Sequence, residues 1–223
     1  YLESVGATTP GESLMVLAAG DCRVALATEH IALQQVASAL SEELILRKLR
    51  LLEAGLQRDF GITKPRLAVL ALNPHAGDKG LMGREEETII QPAIAKAFEA
   101  GIITFGPYAA DGFWGNGRMD SFDGILAMYH DQGLAPFKAL YMGEGVNVTL
   151  GLQFVRTSPD HGTGYDIAGR GIADPTSMRE AIYYALDIYR ARRRYDEATR
   201  NPLRRYYHNR SRDDEKIDTT EDY

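Results

Sequence analysis

Apolar positions along this chain follow two periods. From Ser41 to about Phe60, Ile45, Leu49, Leu52 and Leu56 fall at i, i+4, i+7 and i+11, which predicts one buried stripe on an amphipathic helix. Ser41 supplies an N-cap hydroxyl, Glu42 and Glu43 stand where the helix dipole favours acids, and Gly61 offers a stop. Short apolar runs predict strands at Arg23 to Thr28, Arg66 to Leu72, Gly124 to Met128 and Val146 to Leu150. The run from Arg66 to Leu72 is apolar on both faces, as a parallel strand covered on both sides requires. Two more helices are predicted. One runs from about Glu85 to Ala100, with Ile89, Ile90, Ile94 and Phe98 as its apolar positions and Pro92 as a kink or restart; the other runs from Met178 to about Arg194. The stretch from Tyr1 to Gly20 is mixed, with Thr8 to Glu12 a loop. Strand and helix alternate, so the fold class is α/β, without internal repeats.

Composition narrows the function classes. The 223 residues allow one large domain or two small ones. A net charge of -6 lacks the basic footprint of a nucleic-acid binder. Apolar runs such as Leu14 to Ala19 fall far short of the ~18–20 residues that a membrane span needs. Cys22 is the single cysteine, which excludes an internal disulfide and fits a reducing compartment. The expectation is a soluble, cytoplasmic protein with no nucleic-acid or membrane partner. The chain opens on Tyr1 rather than Met, with nothing resembling a signal peptide before the first structured segment. From Arg200 to Tyr223 a basic-then-acidic tail reads either as a docking arm or as a loosely held terminus.

His30, His75 and His130 each follow the carboxyl end of a predicted strand, where parallel sheets bind ligands. Three neutral imidazoles with one open position form a known catalytic metal set, yet the spacing carries no local signature, and separate hydrogen-bonding loop histidines fit the pattern too. Asp131 and Asp111 could serve as acid, base or orienters of a histidine, although each alone reads more simply as a loop cap or a solvated charge. Lys138 and Arg156 are candidate anion binders, with surface solvation as the plain alternative. The loop from Gly77 to Gly83 precedes a helix and could cradle phosphate, but it lacks the Gly-Lys-Ser/Thr ending of a Walker loop. No Gly-x-Gly-x-x-Gly follows a strand, Gly115-x-Gly117 reads as a turn, and Cys22 reads as a buried, inert thiol.

Together four segments are more specific than any one alone: Asn73-Pro74-His75-Ala76-Gly77 with Met82-Gly83-Arg84-Glu85-Glu86; Met128-Tyr129-His130-Asp131-Gln132-Gly133; Gly145 to Leu152; and Asp160 to Gly171. The first three resemble the 4-hydroxythreonine-4-phosphate dehydrogenases, the PdxA family, and Asp160 to Gly171 looks like the nucleotide-side motif of the wider isocitrate and isopropylmalate dehydrogenase fold. The match runs in order over residues 1 to about 195. The resemblance implies the two-domain fold of isocitrate and isopropylmalate dehydrogenases, with an N-terminal portion upstream of Tyr1 that carries a His-Thr substrate pair and half of the cofactor domain. Residues 1–150 would form the substrate, metal and dimerisation domain in part, 151–199 the return to the cofactor domain, and 200–223 the tail. The resemblance further implies His30, His75 and His130 as ligands of one divalent ion (Zn, Mg, Co or Mn). Lys138, Asn147 and Arg156 become substrate contacts, Asp131, Lys138 and Asp111 catalytic candidates, and His161, Gly162, Thr163 and Asp166 the side that binds NAD or NADP. The implied reaction oxidises a small phosphorylated hydroxy-amino acid in vitamin B6 biosynthesis, in a homodimer with a shared active site. A sister dehydrogenase acting on phospho-D-threonate, phospho-D-erythronate or an aromatic diol is the nearest alternative, and a non-catalytic metal-binding module is the alternative of another class.

Overall fold

A computed structural model describes residues 5–7 and 12–202, so Thr8–Gly11 of the expected loop and most of the expected tail lie outside the described residues. Seven strands form one mixed sheet: β1 (Leu14–Ala19), β2 (Cys22–Leu26), β3 (Leu67–Leu70), β4 (Thr104–Tyr108), β5 (Gly124–Ala127), β6 (Val146–Leu150) and β7 (Thr157–Pro159). Their spatial order is β4-β3-β5-β2-β1-β6-β7. The pairings among β4, β3, β5 and β2 are parallel, whereas β1, β6 and β7 join antiparallel.

Alternation along the strands builds two cores. Val16, Ala25, Leu67, Val69 and Leu126 point to one side, where they meet α1 (Glu42–Asp59), α2 (Gln91–Glu99) and α5 (Thr176–Thr199). Leu17, Val24, Leu26, Ala68, Leu70 and Ile125 point to the other, against α3 (Ala110–Gly115) and α4 (His130–Tyr141). The sheet is thus covered on both faces, as the wholly apolar third strand requires. In α1, Ile45, Leu49, Leu52 and Leu56 are all fully buried, each worth about 1.5–3 kcal/mol of apolar transfer. Ser41 Oγ accepts the Leu44 amide at 3.1 Å, and Gly61 leaves the helix with φ +71°.

The structure corrects the sequence reading in four places. The mixed N-terminal stretch contains β1. The helix expected from Glu85 is two pieces: Glu86–Ile90 is a π turn closed by the Gln91 amide on the Glu86 carbonyl, and α2 starts afresh with Pro92 in its first turn. There a missing N–H costs little. Phe98 is exposed, because eight residues carry it about 80° around from Ile90, while Ala93 and Ala97 fill the buried stripe. His130 to Gly133, expected as loop, opens α4, and Asp111 stands in the first turn of α3. Gly133 lets α4 lie on the sheet, since a Cβ there would come within 2.9 Å of Val24 Cγ1 and 3.0 Å of the Ala127 Cβ.

Cys22 is buried, and burial pushes its thiol up to about 12, the property of an inert sulfur. Among the described residues no helix is long and apolar enough to cross a membrane.

Candidate active site

The exits of β2 and β5 lie side by side because these strands pair in parallel, with Leu26 opposite Ala127. Thr28 ties the exits together: its amide and hydroxyl both donate to the Met128 carbonyl, at 3.2 and 2.7 Å. His30 and His130 therefore emerge next to each other, ring centroids 6.0 Å apart. His130 Nδ1 meets Asp131 Oδ1 at 2.7 Å, which fixes the ring and leaves Nε2 available. A cavity of about 360 Å³ opens between them, lined by Glu29, His30, Tyr129, His130 and Asp131 with an apolar wall of Ile31, Leu33 and Val36. Glu29 in turn receives Lys48 of α1 at 3.1 Å.

This pair suits a divalent ion. Two imidazoles sharing an ion at about 2.1 Å per nitrogen hold their ring centres no more than about 6.5 Å apart, and carboxylate support of a ligand histidine is the usual companion. His75 is not part of the cavity, and among the described residues no group of three His, Cys, Asp or Glu side chains is close enough to hold a metal. One chain thus brings together two of the three expected imidazoles.

His75 lies beyond β3 on a turn, Pro74–Gly80, of unusual hand. His75, Ala76, Gly77, Asp78 and Lys79 all have positive φ, between 42° and 80°. For the four that are not glycine this costs about 1–2 kcal/mol each. Such strain persists where the surroundings over-determine it, and it concentrates at functional sites.

The other expected residues fall into two groups. Asn147 and Thr149 project from the same face of β6, and Arg156 Nη1 donates to both, at 2.8 Å to Asn147 Oδ1 and 3.3 Å to Thr149 Oγ1. Lys138 of α4 reaches Asp160, with Nζ 3.1 Å from Oδ1 and 3.3 Å from the backbone oxygen. Asp160 borders a second cavity, of about 670 Å³, whose wall includes His161, Gly162, Thr163 and Asp166. All four residues expected on the cofactor side therefore share one cavity, and Lys138 is tethered to its rim. Asp111 is exposed and does not line the cavity between His30 and His130.

Two buried polar side chains escaped the sequence reading. Gln132 accepts the Met128 amide at 2.7 Å and donates to the Ala71 carbonyl at 2.6 Å, clamping the exits of β5 and β3. Glu86 accepts the amides of Leu72 and Asn73 at the base of the His75 turn. In the run Glu85-Glu86-Glu87 nothing in sequence distinguishes the buried middle acid from its neighbours; all three read as first-turn acids.

A family model described as pyridoxal phosphate biosynthetic protein PdxA matches residues 2–185. The chain belongs to this family. It is 57% identical over 206 residues to a 4-hydroxythreonine-4-phosphate dehydrogenase of Bacteroides thetaiotaomicron, covering 92% of this chain and 57% of that one. A PdxA relative from Caulobacter vibrioides with the same name is 52% identical over 184 residues, covering 82% and 54%. Among solved structures, a 4-hydroxythreonine-4-phosphate dehydrogenase from Klebsiella pneumoniae superposes with a TM-score of 0.73 at 38% identity, over 84% of this chain and 56% of that one. A terephthalate 1,2-cis-dihydrodiol dehydrogenase from Burkholderia xenovorans gives 0.64 at 32% identity, over 81% and 57%. The chain thus spans somewhat more than half the length of these PdxA relatives.

Proposed function

We propose that the protein oxidises 4-phosphohydroxy-L-threonine with NAD or NADP in pyridoxal phosphate biosynthesis. The observation that carries this reading is the His30–His130 pair with its Asp131 support, at the exits of adjacent parallel strands in a PdxA chain. The whole enzyme would have the two-domain fold of isocitrate and isopropylmalate dehydrogenases. Residues 1–150 would supply the substrate, metal and dimer half, and 151–199 the return to the cofactor half. His30 and His130 would hold a divalent ion, with His75 of the partner subunit as third ligand. The failure of the three imidazoles to meet within one chain supports this homodimeric site. When bound, the ion would lower the pKa of the substrate hydroxyl.

A bound nicotinamide would supply the hydride acceptor, while Asp131, or Lys138 in its neutral form, would take the proton of that hydroxyl. The product, 2-amino-3-oxo-4-phosphooxybutanoate, is a β-keto acid. Its bond to the carboxylate breaks, the electron pair moves into the adjacent carbonyl, and carbon dioxide leaves 3-amino-2-oxopropyl phosphate after protonation. Arg156, held by Asn147 and Thr149, offers a pre-oriented guanidinium to an anionic group. When it is protonated and Asp131 serves as the base, Lys138 supplies a second positive charge, shared in this state with Asp160. The cavity lined by His161, Gly162, Thr163 and Asp166 would take the nucleotide. The kinship to a dihydrodiol dehydrogenase keeps a sister substrate as the second reading.

Lys138→Ala tests the substrate assignment. Losing a charge-assisted contact of about 1.5–3 kcal/mol should raise KM for the phosphorylated substrate roughly 10- to 150-fold, with KM for the nicotinamide nearly unchanged. Unaltered substrate KM and kcat together would assign Lys138 a purely structural bond to Asp160.

A further inference from the structure

The left-handed run from His75 to Lys79 needs a brace, and the structure supplies one in a side chain with no part in the reaction described above. Glu86 is 1% exposed, on the π turn that follows the loop. One of its oxygens accepts the backbone amides of Leu72 and Asn73, at 2.8 and 2.7 Å. The other accepts Asn73 Nδ2 at 3.0 Å, and a Cβ on Gly77 would come within 2.7 Å of it. The turn is therefore wrapped onto a buried carboxylate, with glycine at its closest approach. Gln132 fixes the strand just before it through the Ala71 carbonyl. The residues leading into the turn are held from the protein interior and Gly77 is buried against the carboxylate, while His75 itself is exposed.

We infer that Glu86 is a positioning residue for His75: its carboxylate holds the left-handed turn that presents this imidazole away from its own chain. The consequence for metal binding rests on the proposed function. Glu86 bonds to Leu72 and Asn73 rather than to His75, so it would act through the turn. The roughly 10- to 100-fold weakening typical of losing a direct outer partner of a ligand sets the scale. In the intact protein, Glu86→Ala should weaken Co²⁺ binding by about that factor and shift the visible absorption of bound Co²⁺. Amide exchange should accelerate at residues 72–83 and not in α1. Glu86→Gln keeps the volume and one acceptor oxygen for the two backbone amides, so its loss should lie near the lower end of the range; it carries the test if the alanine variant does not fold. Wild-type Co²⁺ affinity and spectrum in these variants would overturn the inference. If the unsubstituted protein takes up no Co²⁺, the metal reading fails instead, and exchange decides the brace: acceleration at 72–83 upholds it, and unchanged exchange there overturns it.

Discussion

His130→Ala is expected to abolish metal-dependent nicotinamide reduction by the intact protein while leaving its fold in place. The ring is one of two imidazoles 6.0 Å apart, and its other nitrogen is engaged by Asp131. Without it the proposed ion would lose a ligand, and with it stabilisation of the developing alkoxide worth several kcal/mol. A loss of about 4 kcal/mol would lower kcat/KM roughly a thousandfold. The His130 side chain is 42% exposed and sits in the first turn of its helix, so unfolding free energy should move by no more than about 0.5 kcal/mol. Steady-state kinetics with defined metal, beside urea unfolding, separates the two effects. His30→Ala should behave alike, and the double variant should be little worse than either, because the two would act as a unit if they hold one ion as proposed. Substantial metal-dependent activity in His130→Ala would remove this histidine from the site.

The largest stability effect is expected at the far end of the molecule, where α5 crosses α1. Arg192 Nε and Nη2 donate to the two oxygens of Asp59 at 2.6 and 2.8 Å, with side chains only 7% and 2% exposed. One position earlier on α1, Arg58 pairs with Asp196 just as evenly, both bonds 2.9 Å, but in solvent. Hydrogen bonding to Arg58 holds the Asp196 carboxyl below the usual carboxylate range. Geometry is nearly matched; burial differs. Asp59→Ala strands a buried guanidinium and should cost about 3–5 kcal/mol, whereas Asp196→Ala should cost about 0–1 kcal/mol. Replacing both Asp59 and Arg192 by apolar residues of similar volume should recover much of the loss, since the pair itself carries a desolvation penalty. Urea midpoints at constant slope would measure all three. Equal losses at Asp59 and Asp196 would refute the burial argument.

What could be read in the sequence was what repeats. Ile45, Leu49, Leu52 and Leu56 announce α1 because a helix that packs on a sheet needs one continuous apolar stripe, and the structure buries all four. The strand run from Arg66 to Leu72 announced a sheet covered on both sides for the same reason, and Val146–Leu150 is β6 to the residue. Elements escaped where a local signal opposed the tertiary one. No strand is expected at Thr104–Tyr108, since Gly106 and Pro107 are types that strand interiors disfavour, yet β4 lies at the edge of the sheet, where proline is tolerated. No helix is expected over His130–Tyr141, since Gly133 and Pro136 disfavour a helix interior, yet the close approach to Val24 and Ala127 requires the glycine within α4. The candidate site was legible to the same degree. Strand exits pointed to His30 and His130, which do meet. The hand of the His75 turn was not legible, because four of its five left-handed residues are types that normally avoid that region, and Glu86 looks like any first-turn acid.

The most direct test of the proposed activity is reduction of NAD and NADP by the intact protein, stripped of metal and refilled with one divalent ion at a time. The substrates would be 4-phosphohydroxy-L-threonine, phospho-D-erythronate and phospho-D-threonate, side by side. The account predicts turnover that requires metal and favours the first substrate. Metal bound with no nicotinamide reduction on any of the three would contradict it and leave a metal-binding module in its place.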